Sequence, residues 1–476
     1  MKAVFSQVAP TNRVLDIRAL GKIAAMNSDS SHTSSQKIVC KFGGTSLADA
    51  VQIRKVAQIV QSDARRRFVV VSAPGKRSKT DQKVTDLLLT SWHLASQRLD
   101  PNEPLRLIRE RYDQIARDLN VAPVAVPLHE MQIELSKLAA GDPKSLATRD
   151  WMASRGEYFH ACLIASFLGA TFVPSGECIR FDNEGLLDEI SYQNLAAQMS
   201  GDGLYVIPGF YGRDNSGKIK TFPRGGSDIT GAVVARAVGA EIYENWTDVS
   251  GLLMADPRVV NHPKPIAEVT YRELRELAYA GASVLHEATI FPASEAGIPI
   301  QIKNTNAPDD IGTRIVAHRE VGESAIVGIA GRVGFTTIVI EKALMNQQRG
   351  FGRRVLEVLE THDVSFEHMP TAIDSMSLVV SDDELAGKEN AIVRELNRVL
   401  DPDKIEMLPD LALIATVGEG MAFRVGVAGQ LFDSLRRARV NVRMITQGAS
   451  EISIIAGVAA GDYERAVEAI YAEFVQ

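Results

Sequence analysis

Apolar residues along this chain follow two alternating rhythms. Short runs of consecutive apolar residues suit strands. Between them lie stretches whose apolar positions recur every three or four residues, which suit helices. From Lys37 onward the first pair is a strand over 37–42 and a helix over 47–60. Ile53, Val56, Ala57 and Val60 share one face of that helix, and Ser46 is its expected N-cap. A buried strand over 68–72 and helices over 85–99 and 154–168 follow. The last of these opens on Ser154-Arg155-Gly156-Glu157, the spacing of a capping box. Strands over 204–207 and 218–222, a helix over 227–238 and a strand over 241–245 continue the series. Strands alternating with helices predict an α/β sandwich around a largely parallel sheet, with a core that ends near Arg314.

The last third changes rhythm. Its first half predicts strand 334–341, helix 351–362, strands 364–369 and 375–380, and helix 386–400. Strand 412–417, helix 426–438, strands 440–445 and 451–458, and helix 463–474 repeat that order. Two βαββαβ units in tandem are an internal repeat of ferredoxin-like form. By fold analogy such pairs bind ligands more often than they catalyse. The expected domains are an N-terminal extension without fixed structure (1–36), a catalytic domain (37–318) and two small units (332–405 and 406–476). The second unit is completed by a strand over 324–331.

Composition narrows the class. The 476 residues are 45% apolar and 23% charged, which is ordinary for a globular chain of several domains. The net charge of −7 with no long basic run gives no footprint for nucleic acid. No apolar stretch approaches the ~18 residues needed to cross a bilayer. Three cysteines, Cys40, Cys162 and Cys178, form no C-x-x-C pair, so a cytoplasmic location is expected rather than a secreted disulfide framework. Residues 1–36 lack the apolar core of a secretory signal. They are poor in acid and hold Lys2, Arg13, Arg18 and Lys22, so an organelle transit peptide is the alternative to a plain extension.

Two loops carry candidate chemistry. In Lys41-Phe42-Gly43-Gly44-Thr45-Ser46 a strand runs through a glycine pair into a helix. Small residues there let backbone N–H groups approach an oxyanion, the helix N-terminus adds partial positive charge, and Lys41 adds a full one. Phe222-Pro223-Arg224-Gly225-Gly226-Ser227-Asp228 repeats the arrangement, with Ser227 as the expected cap and Arg224 offering the planar fork that grips a carboxylate. Each loop alone is equally an ordinary strand–helix turn, and Glu157 alone reads most simply as a cap. Trp246-Thr247-Asp248, followed by Asp256-Pro257-Arg258, succeeds a strand, where open α/β sheets bind ligands. His286 has no second ligand nearby to suggest zinc.

In this order the segments "KFGGTS", "VVVSAPGK", "KVTDLL", "SRGEYF", "FPRGGSDITGA", "YENWTDVSGLLMADPR" and "GIPIQIKNTNAPDDIGT" resemble the aspartate kinases of the amino-acid kinase superfamily. The resemblance spans about residues 37–476, and the C-terminal pair resembles that family's tandem ACT domains. It implies transfer of the ATP γ-phosphoryl group to the side-chain carboxylate of L-aspartate, with Mg²⁺ bound through ATP and no protein metal site. By motif, Lys41 would act on the γ-phosphoryl group, with Gly43 and Gly44 supplying N–H donors and Asp228 and Ser227 completing the network. Ser72 and Thr85 would line the site between phosphates and substrate. Glu157 would hold the substrate ammonium and Arg224 its α-carboxylate. Thr247, Asp248, Asp256 and Arg258 would line the nucleotide. Many relatives read "GAKVLHP" where this chain has Ser283 in "GASVLHE", so a basic contact to ATP is missing there, with Lys303 a candidate substitute. An amino-acid effector is expected in the first ACT-like unit, lysine rather than threonine, near Met345, Ser365, Phe366 and Glu367. A homodimer or higher oligomer through the ACT units is also expected.

The chemistry suits such a site. A carboxylate nucleophile with a pKa near ~4 is already ionised at neutral pH, so no general base is required. The difficulty is to bring one anion to another, which positioning and charge neutralisation solve. Other kinases of the superfamily would not pair "SRGE" with "RGGSD" and an ACT-like repeat. A catalytically silent sensor would not be expected to keep Lys41, Arg224 and Asp228.

Overall fold

The computed structural model describes residues 36–475 apart from 224, 283–286, 321 and 323. The extension expected over 1–36 (all but Gln36), Arg224, Ser283 and His286 therefore lie outside the described residues. In chain order the catalytic part is β1 (Ile38–Phe42), α1 (Ala50–Gln61), β2 (Arg66–Val71), α2 (Val84–Ser96), α3 (Asn102–Leu119), α4 (Ala125–Ala139) and α5 (Arg149–Leu168). Then come β3 (Thr171–Phe172), α6 (Ser175–Cys178), α7 (Ile190–Gln198), β4 (Tyr205–Pro208), β5 (Tyr211–Arg213), β6 (Ile219–Thr221), α8 (Gly226–Val238) and β7 (Ile242–Thr247). It closes with β8 (Glu268–Thr270), α9 (Tyr271–Tyr279), α10 (Glu287–Glu295), β9 (Ile300–Asn304) and β10 (Thr313–Val316).

Eight of these strands form one sheet in the order β3-β4-β2-β1-β7-β9-β10-β8. All pairs are parallel except β9 with β10. Alternation along the strands builds the two layers. Ile38, Cys40, Phe42, Val69 and Val71 pack toward α1–α5, whereas Val39, Phe68, Val70 and Ile207 pack toward α7, α8 and α10. With both faces covered, the central strands are buried almost throughout, as parallel sheets require.

The regulatory part is β11 (Gly328–Glu341), α11 (Phe351–Thr361), β12 (Ser375–Ser381), α12 (Asp382–Leu385), α13 (Glu389–Leu400), β13 (Lys404–Val417), α14 (Val427–Arg437), β14 (Val442–Gln447), β15 (Ser453–Ala459) and α15 (Tyr463–Phe474). One antiparallel sheet, β12-β11-β13-β15-β14, serves both repeats. The two long strands β11 and β13 each cross from one repeat to the other. Ile338, Ile340, Val355 and Ile392 build the core of the first repeat, while Ile329, Ile414, Leu431 and Ile470 build that of the second. Val327, Ala330, Ala415 and Val417 pack instead with Leu274 and Leu277 of α9, so the catalytic core continues into the regulatory sheet.

Several local expectations are corrected. α1 is capped by Asp49, which accepts from the Gln52 amide at 3.0 Å, and Ser46 lies in a short 3-10 turn (Thr45–Leu47) before it. α5 begins five residues before Ser154, capped by Thr148, because its buried face extends upstream through Met152 and Ala153. The Ser154 hydroxyl donates to the Trp151 carbonyl at 2.7 Å, so Glu157 caps nothing. A true capping box sits at Thr270 and Glu273. Gly225, in the left-handed region at φ 59°, precedes α8 in place of a Ser227 cap. The strand expected over 218–222 pairs only with β5, in a hairpin apart from the main sheet. The strand expected over 364–369 reduces to one bridge at His368, since Pro370 has no N–H to extend a ladder. Helices α3 and α4 were not expected from the sequence, although α3 is strongly amphipathic.

Candidate active site

Strand register decides which loops meet. Phe42 pairs with Val71 on one side and Trp246 on the other, and Val71 pairs with Pro208. Gly43, Ser72, Gly209 and Thr247 therefore leave four adjacent parallel strands at the same edge, their C-terminal edge, where α/β sheets form ligand crevices. α8 and α5 close over this edge from opposite layers. The Gly209 amide donates to the Val71 carbonyl at 2.9 Å, and a Cβ on Gly209 would lie 2.7 Å from the Ser227 side chain. The start of α8 is thereby drawn onto the strand ends.

Lys41 is the last-but-one residue of β1 and is 7% exposed. Its ammonium meets Asp228 Oδ1 at 2.5 Å and lies 3.5 Å from Asn245 Oδ1. Asn245 in turn donates to Asp228 Oδ1 at 2.9 Å. Asp228 thus orients the lysine. Asn245 was missed, although its position in β7 opposite Lys41 follows from the strand register.

The two glycines divide in function. Gly43 does not present its N–H to a ligand, because that N–H donates to the Trp246 carbonyl at 3.0 Å; this corrects the expectation. Gly44 serves close backbone approach. Its carbonyl accepts from Gly75 at 2.8 Å, and a Cβ on Gly75 would sit 2.5 Å from the Gly44 carbonyl carbon. Arg111, on the unexpected helix α3, fastens this contact. Its guanidinium donates to the carbonyls of Ala48 (2.9 Å) and Gly75 (2.6 Å) and pairs with Asp81 at 2.8 Å. A buried arginine without a nearby sequence motif gave no signal for that role. Ser72 follows β2 directly, and its carbonyl accepts from His160 Nδ1 at 2.8 Å, which fixes the proton on Nδ1. Burial drives the His160 pKa down to about 4, so this ring is neutral. Thr85 stands in the first turn of α2, half-buried.

Glu157 faces the same edge from the middle of α5. It is 6% exposed, and one carboxylate oxygen has no hydrogen-bond partner. Burial pushes its pKa up to about 7, against the opposing pull of backbone hydrogen bonds from Ala73 and its own residue. A buried carboxylate oxygen without a partner is costly unless a ligand completes it.

The remaining predicted residues are spread further. Thr247 bonds to Asp248 at 3.2 Å at the end of β7. Asp256 and Arg258 pair with each other at 2.6 Å. Their loop carries Ala255 and Val260, which pack into the core of the second repeat. Lys303 Nζ stands 5.2 Å over the Trp246 ring. Met345 is buried in the first repeat, Ser365 and Phe366 are exposed on the irregular segment before His368, and Glu367 pairs with Arg332 at 3.3 Å beside Tyr279 of α9. These four are not part of the crevice. Among the described residues no cluster of three His, Cys, Asp or Glu could hold a metal ion, and no helix is long and apolar enough to cross a membrane.

Comparison with known proteins places this geometry. The model of the amino acid kinase family matches residues 36–304, and that of an ACT domain matches 414–474. Aspartokinase 3 of Bacillus subtilis is 41% identical over 448 residues, which cover 92% of this chain and 98% of that protein. The crystal structure of Clostridium acetobutylicum aspartate kinase superimposes with a TM-score of 0.85 at 46% identity, covering 92% of this chain and all of the other. Escherichia coli aspartokinase III, 29% identical over 93% of this chain and all of its own, superimposes with TM-scores of 0.72 as its complex with aspartate and ADP (R-state) and 0.73 as its complex with lysine and aspartate (T-state).

Proposed function

This chain belongs to the amino acid kinase family and within it to the aspartokinases, and from that premise we propose how its crevice carries out the reaction. It phosphorylates the side-chain carboxylate of L-aspartate with ATP, giving 4-phospho-L-aspartate and ADP, the first step toward the aspartate-derived amino acids lysine, threonine and methionine. The observation that carries the mechanism is the pairing of Lys41 with Asp228 and Asn245 at the strand edge, opposite a buried Glu157 with an uncompensated oxygen.

The substrate ammonium completes Glu157, and Arg224 holds the α-carboxylate. Gripped at both α-groups, aspartate can send only its side-chain carboxylate toward the γ-phosphate. Thr85 and Ser227 complete the substrate wall. Lys41, oriented by Asp228, stabilises charge on the transferring group, where a preorganised cation is most effective. The nucleotide lies along Gly44, Ser72, Thr247, Asp248, Asp256 and Arg258. With Asp228 occupied by Lys41, Mg²⁺ would be held chiefly through the ATP oxygens and would offset the charge of the phosphates. ADP release measured with aspartate against glutamate, N-acetylglutamate and carbamate tests the reading. Faster turnover of any of the other three would sink it.

Lysine is the proposed effector, binding in the first repeat near Met345, Ser365, Phe366 and Glu367, in a homodimer or higher oligomer built through the regulatory sheets. Its side-chain ammonium would compete with Arg332 for Glu367, and differential affinity for two conformations would do the rest. Lysine and threonine titrated separately against wild type and Glu367→Ala decide this. Inhibition by lysine that the variant loses, with its basal rate kept, supports the assignment, and a wild type insensitive to lysine removes it. Three cysteines without a disulfide support a cytoplasmic enzyme.

A further inference from the structure

Three arginines held largely out of solvent in the catalytic part are each given a carboxylate. Arg66 pairs with Glu244 at 2.8 Å, Arg111 with Asp81 at 2.8 Å and Arg319 with Glu273 at 2.6 Å. Arg155 is different. Its guanidinium is enclosed by ring faces, 4.6 Å from the centroids of Trp151 and Tyr158 and 5.9 Å from that of Tyr211. Among the described residues its hydrogen bonds go only to the Trp151 carbonyl (3.3 Å) and the Ser154 hydroxyl (3.0 Å), and no acid pairs with it. It lines a cavity of about 430 Å³ between α5 and the β5–β6 hairpin.

Arg213 lines the same cavity from β5, pairs with no acid among the described residues, and buries its Nε without an acceptor among them. Lys218 adds a third positive charge to the lining, and Glu177 is the lining's one acid. Glu177 makes no ion pair with either arginine. Asp150, close by in sequence, accepts from the Thr221 amide at 3.3 Å instead. Two guanidiniums with unfilled donors, set in an aromatic wall, form a receptor for a carboxylate with an apolar body. The planar fork takes the two oxygens side by side, and the rings take the rest of the molecule. The volume falls in the range of small-molecule sites.

The cavity is separate from the crevice. Arg155 and Glu157 stand two positions apart on α5 and so project in different directions. Glu157 is buried toward Ala73 and the strand ends, whereas Arg155 turns to Tyr211 of the hairpin.

We propose that the cavity between α5 and the β5–β6 hairpin is a second ligand site, which binds a small aromatic carboxylate through Arg155 and Arg213. Titration calorimetry of the full chain with benzoate tests it. Wild type is expected to take up one benzoate per chain, with affinity at least tenfold above that for inorganic phosphate, which lacks the ring, or benzyl alcohol, which lacks the charge. Saturating aspartate should leave benzoate binding unchanged. Arg155→Met and Arg213→Gln should each weaken it at least tenfold while aspartate-dependent ADP release continues. If Arg155→Met fails to fold, Arg213→Gln, on the hairpin, decides alone. No uptake by wild type, equal binding by folded variants, displacement by aspartate, or equal affinity for phosphate would each overturn the proposal.

Discussion

Glu157 and Glu273 are both carboxylates buried in helices, one at the catalytic crevice and one beneath the regulatory sheet, and their surroundings differ. Glu273 is satisfied from within. Arg319 binds it at 2.6 Å, Thr270 and Glu419 donate backbone N–H groups at 2.9 Å each, and these partners hold its pKa below the ordinary value despite burial. Glu157 has one oxygen without a partner, and burial pushes its pKa up to about 7. Where a joint must hold, the fold completes the charge. At the crevice, where the substrate ammonium is proposed to bind, it leaves the charge incomplete. α9 makes the joint: Glu273 reaches Glu419, Glu276 accepts from Ser453 at 2.8 Å, and Tyr279 lies beside Glu367, so this one catalytic helix touches both repeats.

The sharpest way to break the comparison is to remove each carboxylate. Glu273→Ala leaves Arg319 buried and unpaired, and should cost roughly 3–5 kcal/mol in denaturant unfolding. A loss under about 1 kcal/mol would show that the junction does not depend on it. Lys41→Ala should lower kcat by about 100-fold or more with little change in aspartate KM, because the lysine acts where charge develops. A rate within a few-fold of wild type would make Lys41 an ordinary lysine.

pH sharpens the contrast, because the two shifts have opposite sign. The folded pKa of Glu157 lies above its unfolded value of 4.5, so its burial penalty is absent below about 4.5 and grows until about pH 7. Glu157→Gln should therefore be more stable than wild type above pH 7, by at most about 3.5 kcal/mol, and the two should converge near pH 4.5. For Glu273 the lowered folded pKa means stability present above 4.5 and lost as pH falls through the folded value. Aspartate KM of the wild type should rise as pH drops below about 7, when Glu157 takes up a proton. A KM flat from pH 6 to 8 would remove Glu157 from the ammonium site. The smallest effect is expected of Arg224→Ala, a 10–100-fold rise in aspartate KM, or roughly 1.5–3 kcal/mol, with ATP binding unchanged. Lost ATP affinity with a normal aspartate KM would reassign Arg224 to the nucleotide.

Much of the catalytic layer was legible because its signals are local. The strand over 37–42, the two glycine loops and the helix over 227–238 each announce themselves within a dozen residues. The repeats were legible through their order of elements, but their difference was not. The second keeps a full edge strand in β14, while the first holds only isolated bridges at His368 and Thr371 among the described residues. A period-two pattern cannot tell whether a partner's ladder has room for it. The capping box at Ser154 misled for a related reason. A local motif was outweighed by a buried helical face that begins upstream.

By itself the sequence determined the alternation of strands and helices, the tandem repeat, the two glycine loops and, through ordered motifs, the family. Only the tertiary structure decided which charges meet. Lys41 and Asn245 are 204 residues apart and lie side by side because β1 and β7 pair in parallel register. Arg111 reaches the carbonyls of Ala48 and Gly75, and so fastens the contact of Gly44 with Gly75, from a helix that carries no motif. Glu157 changed from a cap to a buried, incomplete carboxylate once α5 was found to start at Arg149. Periodicity and capping arise from neighbours along the chain. The energy of a buried charge is set by partners and solvent brought to it by folding, which no local window contains.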